Sequence, residues 1–309
     1  MLSYILRRSM MAVPILIGVA TITFLLTFVF VPGDPVRMTM GQNADEETVQ
    51  SIRHELGLDQ PLWKQYIRFV GRIFKGDLGR SFKTRRPVAQ SIAERFPATL
   101  RLALSAMGVA IVVGIIAGIV SAIKPYSIWD NIFMGLALLG ISMPVFYLGL
   151  LLIVFFAVKL NWFPVGGYGG GSLEYLILPA IALGTMQAAK IARMTRSSLM
   201  EVVRQDYIRT ARSKGLSERI VVFKHALRNA LIPVITVIGT QLGYLLGGTV
   251  LTETTFSWPG VGRMAVDAVQ FRDFPMIQGT VLFLAIIFIV INLLVDLSYS
   301  WLDPRIRYD

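Results

Sequence analysis

The chain has 309 residues, of which 54% are hydrophobic and 16% charged, and it carries a formal charge of +11 and no cysteine. That apolar share, with a mean hydropathy of +0.62, exceeds what ordinary soluble domains carry and makes a membrane protein the first reading. The missing cysteines exclude disulfides, thiolate metal sites and cysteine nucleophiles together, and the positive charge, which in a soluble protein would point to nucleic acid, is concentrated here in one loop.

Six segments are apolar and long enough to cross a bilayer. The first, residues 10–31, follows Arg7 and Arg8, whose charge favours a cytoplasmic N-terminus. At about 22 residues it fits a full span better than the core of a signal peptide. Pro32, Gly33, Asp34 and Pro35 end it. Residues 32–98 then form a polar insertion outside the cytoplasm, with helical stripes at Val49, Ile52 and Leu56 and at Tyr66, Val70 and Ile73. Its 11 basic and 8 acidic residues do not conflict with that side, because loops longer than about 60 residues are largely exempt from the charge rule.

The second span covers residues 100–123 and carries Gly114 and Gly118, four apart, where another helix approaches closely. The third, 132–158, contains Pro144, which kinks it or breaks a backbone bond. A Trp-, Pro- and Gly-rich turn at 161–172 leads to the fourth, 175–192, with Pro179 near its outer end. The fifth, 231–251, has Gly239, Gly243 and Gly247 at four-residue intervals and Gln241 and Tyr244 near its middle. Polar groups at that depth are costly unless they face a partner or a water-filled path. Gln241 and Tyr244, together with Pro144, are therefore candidates for lining a translocation path; an interhelical hydrogen bond explains Gln241 equally well. Residues 253–275 form a second outside loop with an amphipathic stretch at 261–269. The sixth span, 276–299, carries Asn292 and Asp296 and ends in the basic tail Asp303, Pro304, Arg305, Ile306, Arg307. Both termini are then cytoplasmic, and the chain divides into 1–31, the insertion 32–98 and a core 99–309.

Between the fourth and fifth spans lies a cytoplasmic loop, about 193–230. Ten Lys and Arg face three Asp and Glu between Lys190 and Arg228. The positive-inside rule accounts for that charge, but not for the pattern within it. Leu199, Val203, Tyr207 and Ala211 recur every four positions, one stripe of a helix. Gly215 sits where a helix end calls for a left-handed residue, and Ser217 is placed to cap a second helix whose apolar face holds Ile220, Phe223, Leu227 and Leu231. The segment 204–233 reads as a folded helix-turn-helix offering a docking surface. A DNA-reading role is disfavoured because the second helix runs straight into a span.

Much chemistry is missing. No phosphate-cradling G-x-x-x-x-G-K-[ST] loop occurs, so the chain has no nucleotide site of that kind. His54 and His225 fall on opposite sides of the membrane and cannot share a metal, no serine has a histidine within reach for a nucleophilic triad, and Asp296 is the one carboxylate expected inside a span, which leaves no acidic relay for proton-driven transport. What remains is a membrane subunit that receives work from elsewhere. The rival from another class is a passive channel or scaffold whose basic loop binds anionic lipid.

The run Tyr207-Ile-Arg-Thr-Ala-Arg-Ser-Lys-Gly215, followed by Arg228-Asn-Ala-Leu-Ile-Pro233, resembles the cytoplasmic coupling loop of ABC importer permeases. Arg209, Thr210 and Ala211 precede Gly215 at that family's interval, although Arg209 stands where the family has an acid. Phe96-Pro-Ala-Thr-Leu100, Phe256-Ser-Trp-Pro-Gly-Val-Gly262, Arg272-Asp-Phe-Pro275 and Leu302-Asp-Pro-Arg-Ile-Arg307 narrow the resemblance to the dipeptide, oligopeptide and nickel subfamily, and the long insertion to the first of its two permease subunits. The resemblance implies an all-α membrane protein with six transmembrane helices, the type I importer permease fold, in the cell membrane. It implies a second permease subunit, two cytoplasmic ATPases that bind the ATP and Mg, an extracytoplasmic substrate-binding protein and surrounding lipid as partners, with no cofactor on this chain and no nucleic acid. It also implies that Tyr207, Arg209, Thr210, Ala211, Lys214, Gly215, Leu216, Ile220 and Phe223 meet an ATPase, with di- or oligopeptides, or nickel or another small solute, as cargo.

Overall fold

The computed structural model describes residues 2–30, 45–56 and 58–302. The span-ending Pro32 to Pro35, the basic tail from Asp303 and the side chains of Val49, Ile52, Leu56 and Gly247 lie outside what is described. Among the described residues every named element is helical: α1 (Leu2–Leu25, continued by a wider π-helical turn over Leu26–Phe30), α2 (Glu46–Leu56), α3 (Leu62–Phe74), α4 (Val88–Ile123), α5 (Ile128–Ser142), α6 (Val145–Leu152, continued over Ile153–Lys159), α7 (Leu173–Val202) and α8 (Asp206–Ser213). Glu218–Ile220, a π-helical stretch Val221–Ala226 and Leu227–Thr255 then follow without a break and together form α9. The chain closes with α10 (Val261–Gln270) and α11 (Phe274–Leu302). Among the described residues five helices are long and apolar enough to cross a membrane, and a sixth crossing is available if the bent pair α5 and α6 counts as one span.

Two of these elements correct the sequence reading. The third span is not a kinked helix: α5 and α6 meet at 109°. Met143 is extended, at φ −87° and ψ 127°, as a residue before proline must be, and Pro144, lacking an N–H, starts α6 instead of continuing α5. Each half is about 22 Å long at 1.5 Å per residue, short of the roughly 30 Å hydrocarbon core, so neither crosses alone. The second span, in turn, begins twelve residues earlier than its hydropathy suggests, at Val88, because a helix does not have to end where the membrane does.

The chain folds as two compact units. The first comprises residues 1–99 with 259–293. In it α3 lies on α1, with Phe69 buried beside Ala20 and Phe24 and with Tyr66, Val70 and Ile73 packed around them, so the stripe expected in the insertion is the face that seats on the first helix. Tyr66 Oη and Thr21 Oγ1 are 2.7 Å apart. The loop before α4 is clasped by Asp273, which accepts from Ser81 Oγ at 2.5 Å and from the Phe82 N–H at 3.0 Å. Val88, Ile92, Val261, Met264, Ala268 and Met276 make the core beside it, and the stretch expected to be amphipathic at 261–269 is α10.

The second unit comprises residues 100–258 with 294–307, built around α7. Gly114 and Gly118 let α4 lie directly on α7: a Cβ on Gly114 would stand 2.7 Å from the Ala188 carbonyl oxygen, and one on Gly118 2.7 Å from that of Ala192. Asp130, at the start of α5, is bound bidentately by Arg196 of α7, with both N···O distances 2.7 Å, and accepts the Tyr126 N–H at 2.8 Å. Glu253, in the last turns of α9, is fully buried. The outside loop expected from residue 253 therefore begins three residues later, because α9 continues to Thr255.

Candidate functional site

The helix-turn-helix between the fourth and fifth spans is formed, with different faces from those its periodicity suggests. α7 ends at Val202, and Val203, Arg204 and Gln205 turn the chain before α8 starts. The stripe Leu199, Val203, Tyr207, Ala211 is thus split between two helices. Leu199 and Ala211 are buried, but Tyr207 is exposed and its neighbour Ile208 is the fully buried residue of α8. At the far end Gly215 takes φ +77°. Its N–H donates to the Arg212 carbonyl at 2.9 Å, and the Leu216 N–H to the Ala211 carbonyl at 3.4 Å, the paired bonds of a Schellman ending. Ser217 occupies the cap position of α9 in an extended conformation, but its side chain makes no capping hydrogen bond there.

The second helix turns a neighbouring set of small and branched residues inward. Ile208, Ala211, Val221, Val222, Ala226 and Ala230 form one core with Leu199, and Ile119 and Ala122 of α4 pack against it. Thr210 stays exposed one residue before Ala211. Ile220 and Phe223, which the resemblance implies meet an ATPase, are 43% and 52% exposed, and Leu216 and Tyr207 are at the surface too. Arg204, Arg209, Arg212, Lys214, Arg219, Lys224 and Arg228 are exposed around this apolar row. The result is an uncovered greasy strip with a cationic rim, carried on the end of a span.

Two polar contacts brace the strip, and the sequence reading found neither. Arg212 Nε donates to Glu218 Oε1 at 2.7 Å and Nη2 to Oε2 at 3.2 Å, bridging the Gly215 turn, and this contact raises the Arg212 guanidinium above the ordinary arginine value. Both side chains are largely exposed, so the bridge contributes no more than about 1 kcal/mol. Asn229 Nδ2 donates to Tyr207 Oη at 2.7 Å, tying α8 to the base of α9. Opposite charges on either side of a helix-ending glycine were the available signal for the first. Arg209, by contrast, lies 3.9 Å from Asp206 with both groups exposed, a loose pair.

Halfway along the second unit's helices is a polar group that only the fold assembles. Gln241 is buried and accepts from Lys190 Nζ at 3.1 Å, and Lys190 Nζ also stands 5.8 Å from the centre of the Tyr244 ring. Tyr244 is 62% exposed. Sequence reading placed Gln241 and Tyr244 together but counted Lys190 with the basic loop; α7 continues for twelve residues beyond it. Pro144 is exposed at the α5–α6 break. Among the described residues no cluster of His, Cys, Asp and Glu could hold a metal ion.

Residues 110–308 match the family described as binding-protein-dependent transport system inner membrane component, and residues 1–103 match the N-terminal family of the same transport-system membrane components. The chain is 44% identical to a dipeptide transport system permease protein, DppB, of Alkalihalophilus pseudofirmus, with both chains covered in full. It is 45% identical to the glutathione transport system permease protein GsiC of Escherichia coli K12, again over the whole of both. It is 46% identical to a di/tripeptide transport system permease protein, DppB, of Pseudomonas aeruginosa, covering 100% of this chain and 99% of that one. Among solved structures, the inward-facing MetNI methionine ABC transporter superposes with a TM-score of 0.58 at 20% identity, over 70% of this chain and 97% of that one. An amino acid ABC transporter solved with histidines gives 0.55 at 14% identity, over 69% and 94%. At those identities the two structures speak to the fold alone, the type I importer permease fold.

Proposed function

Because the chain belongs to the family of binding-protein-dependent transport system inner membrane components, and is a multi-pass permease subunit of an ABC importer, we propose that it carries di- or oligopeptides inward and is driven through the helix-turn-helix at 204–233. The peptide cargo is supported by full-length relatives named for dipeptides, di/tripeptides and glutathione. The single observation that carries the coupling role is the uncovered row Tyr207, Leu216, Ile220 and Phe223 at the foot of α9. A row of large apolar side chains left open and rimmed by charge is what a docking interface needs.

The geometry supplies a transmission. α9 runs from residue 218 to 255 without a break, about 57 Å at 1.5 Å per residue, so a groove that grips Ile220 and Phe223 holds one end of a rod whose middle carries Gln241 and Tyr244. The wider turn over Val221–Ala226 carries Phe223 itself. Closure of an ATPase pair on bound ATP and Mg would move α8 and the foot of α9 together, because they share a core at Ile208, Ala211 and Val222, and the permease would rock between inward-open and outward-open arrangements. In this reading Gln241, Tyr244 and Pro144 line the path, with Lys190 beside Gln241. In this reading the loop and both termini are cytoplasmic, residues 32–98 are an outside insertion, a second permease completes the path, and a binding protein delivers the peptide.

The test is purification from a mild detergent followed by reconstitution. The importer reading expects two ATPase subunits and a second permease to copurify, and ATP-dependent accumulation of a labelled dipeptide in vesicles supplied with the binding protein. Accumulation that proceeds without any ATPase, or thiol labelling that places Lys214 outside intact cells, would refute it.

A further inference from the structure

Lys190 lies seventeen residues beyond Leu173 and twelve short of Val202 in α7, about 25 Å from one end and about 18 Å from the other. Gln241 is at the midpoint of Leu227–Thr255. The two meet within the apolar helices Leu173–Val202 and Glu218–Leu245. A cation at that depth is expensive, and such groups turn toward a partner, the protein interior or water. Six residues further along α7, Arg196 has its carboxylate in Asp130. Lys190 has none among the described residues: its contacts are an amide oxygen at 3.1 Å and a ring face at 5.8 Å, both neutral.

Those neutral contacts orient the ammonium without discharging it. Gln241, buried, accepts one of its three N–H donors; the Tyr244 ring attracts the charge electrostatically. Lys190 itself is half-buried and Tyr244 stands open, so two donors remain for an incoming group. Lipid is a poor neighbour for that side of the helix pair, which leaves an aqueous path or the face of another subunit.

We propose that the Lys190 ammonium, held by Gln241 and Tyr244, is a way-station for anionic cargo, pairing with a carboxylate of the transported solute inside the permease. This deepens the importer reading and rests on it. A charge-assisted contact with the carboxylate lowers the barrier that an anion meets inside a low-dielectric span, and because Lys190 carries its charge on a flexible stem, it releases the group as readily as it takes it.

The chain has no cysteine, so Lys190→Cys gives it a single thiol. The fully assembled transporter, with its binding protein at saturation, is reconstituted as wild type, Lys190→Arg, Lys190→Gln and Lys190→Cys, and the initial uptake of alanyl-alanine and of its C-terminal amide is measured. The proposal expects Lys190→Gln to slow the free acid by about tenfold, the scale of one lost charge-assisted contact, with the amide changed less than twofold, while Lys190→Arg keeps the wild-type ratio. The binding protein's own preference enters every ratio equally and cancels. Treating the Lys190→Cys transporter with aminoethyl methanethiosulfonate, which installs an ammonium, restores uptake of the free acid, and the sulfonatoethyl and methyl reagents do not; this arm decides the matter even if the amide is never delivered. Equal losses for both probes, no loss in Lys190→Gln, or a thiol that water-borne reagents never reach would overturn the proposal and assign Lys190 to packing against a partner subunit. ATPase copurification and wild-type uptake are scored separately, so failure of the importer reading appears as absent wild-type accumulation and is not confused with failure at Lys190.

Discussion

If the foot of α9 is where the motor grips, trimming its open side chains must cost attachment and spare the fold. Phe223 and Ile220 are 52% and 43% exposed, and complete burial of such side chains is worth about 1.5–3 kcal/mol each. The half still open on each therefore offers about 1 kcal/mol to a groove that covers it. Ile220→Ala with Phe223→Ala should weaken ATPase binding by about 2 kcal/mol, roughly thirtyfold in Kd. Their inner halves already touch the protein, so some stability is lost as well, but less than for Ile208→Ala, whose fully buried side chain should cost about 2–5 kcal/mol of folding. Titration of labelled ATPase onto the permease pair in nanodiscs, with thermal melting of each variant in parallel, separates the two. A double variant that binds ATPase within twofold of wild type would refute the docking argument, as would one that melts as early as Ile208→Ala.

Gly215→Asp should insert normally, because a Cβ there meets nothing within 4 Å, yet force an L-residue to φ +77° at about 1–2 kcal/mol; substrate-stimulated ATPase and uptake should fall several-fold, and undiminished transport would count against the turn's role. Asp130→Ala leaves Arg196 without its carboxylate in a site where Asp130 is 3% exposed, a loss of about 3 kcal/mol that Asp130→Ala with Arg196→Met should largely recover; melting in detergent reads both. Asp273→Ala removes the acceptor for Ser81 and Phe82, so trypsin should cut at Arg80, Lys83 or Arg85 at least several-fold faster than in wild type, since two hydrogen bonds to a charged group are worth about 3 kcal/mol or more. An unchanged digestion pattern would show that the loop is held by other contacts.

The helix-turn-helix shows how far pattern carries. Gly215 was legible because a helix end with φ near +77° is a local demand that glycine meets best. The inner face was not, because residues 220–231 contain two adjacent apolar stripes, Ile220, Phe223, Leu227 and Leu231 beside Val222, Ala226 and Ala230, and a helical period accommodates either. Small residues won the inside, since Ala226 and Ala230 let α9 approach closely enough to share a core with Leu199 and Ile208. The same blindness hid Lys190: hydropathy falls at a charge, so a cation within a span looks like the end of one.

Local chemistry written in the chain therefore settled where it can cross a membrane and where it must turn. Apolar length sets a span, proline at 144 denies its predecessor the helical backbone, and glycine at 215 permits a left-handed one, none of which waits on a neighbour. Which stripe is covered, which is left exposed, and which charges are answered were decided only when distant helices met. Asp130 found Arg196 across 66 positions and Lys190 found an amide across 51, and no window along the sequence contains both members of either pair. Burial and ion pairing depend on distances in space, so they belong to the folded protein.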